Sequence, residues 1–125
     1  KTIEQARADG VFSRGPFRHS FLGNLFVRFL EPPPRFKSKA PKILAPTPDR
    51  SMAELVPEFM TLQDQLQRRI HEANGIDLAR VKIVSPITKL VKLSLGQWFA
   101  LLAAHERRHL WQARQVKNNP NFPRP

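Results

Sequence analysis

The sequence predicts an all-α protein built from amphipathic helices. Three observations carry this reading: apolar residues recur at three- and four-residue spacing, two serine capping boxes mark helix starts, and prolines separate the patterned segments. With 125 residues and 41% hydrophobic content, the chain is long enough for one domain with a modest core.

The elements follow in order. Residues 1–9 are mostly good helix formers and stop at Gly10, so they read as the tail of a helix. Arg14-Gly15-Pro16 marks a turn. From Ser20 to Leu30, Phe21, Leu22, Leu25, Phe26, Phe29 and Leu30 form a helical stripe, which Pro32-Pro33-Pro34 terminates. Residues 32–50 are a proline-rich connector, extended rather than flexible, in which Phe36, Ile43 and Leu44 are expected to pack down.

Residues 51–73 form the first main helix. Ser51 and Glu54 make an S-x-x-E capping box, and Met52, Leu55, Phe59, Leu62 and Leu66 are spaced as a bundle seam. Pro57 removes one backbone bond and predicts a bend, and Asn74-Gly75 ends the helix. Residues 76–93 read as mostly irregular, because Ser85-Pro86 interrupts the strand-like run Val81, Ile83 and Val84.

Residues 94–116 form the last helix, opened by the S-x-x-Q box of Ser94 and Gln97 and a Leu93–Trp98 hydrophobic staple. Leu95, Trp98, Leu102, His105, His109, Gln112 and Val116 then recur at alternating steps of three and four. This stripe is expected to face the core. It begins apolar and becomes two histidines and a glutamine.

Composition excludes several functions. There is no cysteine, so no disulfide framework, thiolate zinc site or cysteine nucleophile exists. No apolar run is long enough to span a membrane and no signal peptide is recognisable, which predicts a cytoplasmic protein with no membrane partner. The 21 Lys+Arg against 10 Asp+Glu give a net charge of +11. That charge is spread over both halves, densest at Arg35–Lys42, and no nucleic-acid-binding signature accompanies it. A nucleic-acid partner is therefore not expected.

His105 and His109 are four residues apart and share one helical face, a spacing at which two imidazoles can hold one metal ion. On a core-facing stripe, two rings plus Gln112 would leave several buried polar atoms needing partners, which a metal would supply. The string His105-Glu106-Arg107-Arg108-His109 also matches H-E-x-x-H, in which Glu106 would be the general base of a metalloprotease. No His, Asp or Glu follows His109 to serve as the usual third ligand. Glu106 also lies off the stripe, where it reads as a surface carboxylate.

His105 through Gln112, with the closing Asn121-Phe122-Pro123, resembles the C-terminal signature of the DinB-like superfamily, H-x-x-R-H-x-x-Q followed by a short Phe-Pro tail. The resemblance implies a four-helix bundle with a long connector between its second and third helices. It also implies a divalent metal (zinc, nickel or iron) held by three histidines, one from the second helix and two from the last. Carried over, His105 and His109 are the two last-helix metal ligands, with Arg108 and Gln112 at accessory positions. The histidine expected before the region resembling residues 1–9 has no counterpart. His19 and His71 remain, and both read as surface or loop residues, His19 being the stand-in candidate. Together with the missing initiator methionine, this predicts a truncated domain over 1–125, lacking the first helix and most of the second.

Relatives of this kind include metal-dependent transferases acting on small thiols. The expected function is thus a divalent-metal-dependent transferase or hydrolase with a small thiol-type substrate, and a homodimer is compatible with its exposed stripes. The alternative is a non-enzymatic basic module binding nucleic acid or an acidic partner.

Overall fold

The computed structural model describes residues 2–34, 49–85 and 87–123. The expected packing of Phe36, Ile43 and Leu44 and the basic strip at 35–42 lie outside the described residues. In chain order the elements are α1 (Thr2–Ala8), α2 (Phe21–Leu30), α3 (Met52–Glu72), β1 (Lys82–Val84), β2 (Lys92–Ser94) and α4 (Leu95–Lys117). The protein is thus all-α in its main elements, with one small hairpin. Among the described residues no helix is long and apolar enough to cross a membrane. The chain divides into two compact units, one holding α1 and α3 and the other holding α2, the hairpin and α4.

In the first unit, α1 buries Ile3 and Ala6 and stops at Gly10, whose φ of 67° only glycine adopts without cost. Beside it, the Arg7 guanidinium donates to the carbonyls of Glu72 at 2.6 Å and Asn74 at 3.1 Å. These carbonyls end α3, where helix geometry supplies no N–H partner and cations are favoured. Ala73 and Ile76 are buried at this end, and Phe12 bridges to Ile76. The Ser51–Glu54 capping box forms as expected, and α3 runs continuously through Pro57 to Glu72.

The predicted seam of α3 is not buried. Met52, Leu55, Phe59 and Leu62 are exposed, and only Leu66 is partly covered. The contacts that Arg7 makes with this helix gather at its C-terminal end, on the carbonyls of Glu72 and Asn74, and the seam lies N-terminal to them. A capping box fixes where a helix begins and says nothing about what lies against it.

In the second unit, residues 76–93 are not irregular throughout. β1 and β2 pair antiparallel, with Lys82 opposite Ser94, Ile83 opposite Leu93 and Val84 opposite Lys92. Pro86 falls in the sequence between the strands, so it does not interrupt a ladder. β2 runs directly into α4, and Ser94 serves as both last strand residue and N-cap. The first three N–H groups of α4 all find acceptors: Leu95 on Val81 O at 2.8 Å, Gly96 on Leu78 O at 3.2 Å and Gln97 on Ser94 Oγ at 3.3 Å. The Trp98 indole donates to Ile83 O at 3.0 Å and ties the strand to the helix.

α2 lies along α4 and is fastened at both ends. At one end Gln97 donates to the Ser20 hydroxyl, which itself caps α2 by accepting from Gly23 N at 3.1 Å. At the other, Arg107 forms a forked pair with the Glu31 carboxylate, with Nε 3.0 Å from Oε2. Gly23 is the one buried residue of α2. The apolar stripe from Phe21 to Phe29 is exposed, with Phe21 83% accessible.

Candidate metal centre

The covered face of α4 decides where the histidines lie. Gln97, Leu101 and Ala104 are buried, and Arg108 and Trp111 continue the same four-three spacing as half-buried residues. The expected stripe is offset from this one by a single position, about 100° around the helix. Leu102, His105, His109, Gln112 and Val116 are consequently exposed, correcting the expectation of a core-facing stripe. Crossing against α2 at Gly23 selects the face that presents Ala104, which is fully buried. The histidines are therefore not forced together by burial, and the buried-atom argument for a metal does not apply.

Their geometry stands apart from that argument. His105 Nε2 and His109 Nε2 are 2.9 Å apart, with ring centroids separated by 4.4 Å and planes at 86°. His109 Nδ1 lies 2.9 Å from the Gln112 side-chain carbonyl. A carbonyl oxygen only accepts, so Nδ1 carries the proton and Nε2 of neutral His109 presents a lone pair toward His105. That is the tautomer a metal-bound imidazole requires, set by a neighbour three residues along the helix. The i, i+3 relation of Gln112 to His109 is the sequence signal for this contact.

The surrounding charges bear on His105. Partial burial holds its pKa below the ordinary imidazole value, and the neighbouring His109 and then Arg108 act in the same direction, while Glu106 opposes them. Arg107 takes no part, because Glu31 engages it.

The distance between the two Nε2 atoms is that of one imidazole donating to the other, and it is also close to the separation of two nitrogens on one metal. With metal–nitrogen bonds of about 2.0–2.1 Å, two ligands at a right angle are separated by about 2.9 Å, and tetrahedral ligands by about 3.3 Å. Among the described residues, however, no group of three His, Cys, Asp or Glu side chains is placed to hold an ion. His19 packs edge-on against Phe17, with centroids 4.7 Å apart, and His71 is exposed in the last turn of α3. His19 does not complete the pair. The described residues supply two donors and no third.

A family model described as the DinB superfamily matches residues 16–113. No curated protein and no solved structure matches the chain. The matched span covers more than half of the sequence and contains α2, α3, the hairpin and both histidines, and on that ground the chain belongs to the DinB superfamily.

Proposed function

We propose that His105 and His109 are ligands of a divalent metal ion, zinc, nickel or iron, and that the protein serves metal-dependent transfer or hydrolysis on a small thiol-type substrate. The observation that supports this is the convergence of two Nε2 atoms at 2.9 Å, with the lone pair of His109 directed by Gln112. With His109 Nε2 as acceptor, His105 protonated on Nε2 donates across this gap, and a bound cation would take that proton's place. When bound, such an ion supplies Lewis acidity that lowers the pKa of a coordinated thiol or water toward neutrality.

This chain's own residues set the conditions for binding. Gln112 orients the His109 ring. Partial burial, then the neighbouring His109 and Arg108, hold the His105 pKa below its ordinary value, so its lone pair remains available to lower pH. The exposed position of both rings leaves room for a further donor and for substrate.

Metal titration of the purified chain by calorimetry tests the reading, with His105→Ala/His109→Ala and Gln112→Ala as comparisons. The double variant should lose binding, and Gln112→Ala should weaken it by about 10- to 100-fold. Equal metal uptake by the parent and the double variant would remove the proposal.

A further inference from the structure

The hairpin that feeds α4 concentrates positive charge around exposed aliphatic side chains. From Leu78 to His105 the chain carries Arg80, Lys82, Lys89 and Lys92 and no acidic residue. All four cations are exposed, and no ion pair among the described residues takes up any of them. The strand register places Lys82, Val84 and Lys92 on one face, opposite the Ile83–Leu93 face. Beyond the strands, Leu90 is 94% exposed and Ile87 54% exposed.

The loop hides its backbone rather than its apolar side chains. The Ser85 hydroxyl accepts from Ile87 N at 3.2 Å and Thr88 N at 3.4 Å, and the Thr88 hydroxyl accepts from Leu90 N at 3.3 Å. Ser85 N and Val91 N bond to Val91 O and Thr88 O. Five donors are thus satisfied within the hairpin, so moving the tip into a less aqueous layer does not strip them of water.

We propose that this hairpin docks the protein on an anionic lipid bilayer. Leu90 and Ile87 enter the headgroup layer, and Lys82, Lys89 and Lys92 engage the lipid phosphates and carboxylates. Charge complementarity selects the partner. A bilayer offers negative charge directly above an apolar layer, matching a cationic collar around aliphatic side chains. A nucleic acid offers phosphates but no apolar layer for Leu90 and Ile87. A second copy of this chain, itself +11, is repelled at this face. Surface docking requires no membrane-spanning helix.

Co-sedimentation of the full chain with vesicles tests the proposal, using phosphatidylcholine alone and an equimolar mixture of phosphatidylcholine and phosphatidylserine. Binding should require phosphatidylserine and fall with salt. Lys82→Gln/Lys89→Gln/Lys92→Gln should weaken it by about 100-fold, at about fivefold per cation. Ile87→Ser/Leu90→Ser should weaken it by about 100-fold or more, and Leu90→Ser alone, at a side chain 94% exposed, should weaken it by about tenfold without changing the unfolding midpoint. Removing three cations elsewhere, as Arg14→Gln/Arg28→Gln/Lys117→Gln, should cost much less. An equal loss in that variant, unchanged binding by the serine variant, or binding to duplex DNA with none to vesicles would each overturn the proposal.

Discussion

Replacing Gly23 with alanine probes the contact that orients α4. A Cβ at this position would lie 2.8 Å from Gln97 Cγ and closer still to the amide carbon and nitrogen, so the glutamine must leave its place. Gln97 is only 4% exposed and pinned by two interactions. Its amide oxygen accepts from Ser94 N at 3.3 Å, closing the α4 capping box, and its amide nitrogen donates to Ser20. Loss of the reciprocal cap costs about 1 kcal/mol, and loss of the cross-helix hydrogen bond about 1 kcal/mol more. Glycine to alanine inside a helix returns about 1 kcal/mol in propensity, while residual crowding adds about 1 kcal/mol or more. Gly23→Ala should therefore destabilise the protein by about 1–3 kcal/mol. Urea unfolding followed by circular dichroism measures it directly. Repeating the substitution in a Gln97→Ala background should recover most of the loss, because the obstructing side chain is gone. If Gly23→Ala instead stabilises the protein, propensity is acting unopposed and α2 does not cross α4 at this residue.

Three other outcomes follow from the same contacts. Trp98→Phe leaves Ile83 O without the indole donor at 3.0 Å and should cost about 1 kcal/mol in urea unfolding, with no loss counting against the strand-to-helix tie. Hydrogen bonding to Arg107 holds the Glu31 carboxyl below its ordinary value, so this pair's stabilisation is present at neutral pH and disappears as pH falls through the depressed folded pKa. Unfolding midpoints across the acid range should accordingly fall less steeply in Glu31→Gln than in the parent, and the difference should shrink in high salt. Metal uptake should rise with pH as His105 loses its proton. Since Arg108 is one cause of the lowered His105 pKa, Arg108→Gln should move that limb to higher pH, and an unmoved calorimetric profile would exclude His105 as the titrating ligand.

The readable parts of this sequence are those governed by contacts within four residues. Ser51 with Glu54 and Ser94 with Gln97 announce helix starts because both partners of each capping box lie in one turn. The proximity of His105, His109 and Gln112 was legible for the same reason, since i, i+3 and i, i+4 neighbours meet on any α-helix. The hairpin is not legible in the sequence, because Lys82–Val84 and Lys92–Ser94 gain strand partners only from each other, across a loop that contains a proline. Arg107 with Glu31, 76 residues apart in sequence, leaves no periodic trace at all.

Local patterning in the sequence is enough to place the four helices and their ends, and to put two imidazoles on one face of the last helix. It also placed that face one position away from where the structure buries α4. Near its start this helix is apolar on two adjacent stripes, Trp98 and Leu102 on one and Leu101 and Ala104 on the other, and periodicity alone cannot rank them. Tertiary structure made the choice. α2 approaches at Gly23, where the absence of a Cβ admits Gln97, and the entering strand fixes the first turn through Val81 O and Leu78 O. Together these contacts cover the face carrying Leu101 and Ala104 and turn His105 and His109 outward, because backbone approach and strand entry fix a helix's rotation while residue spacing fixes only its period.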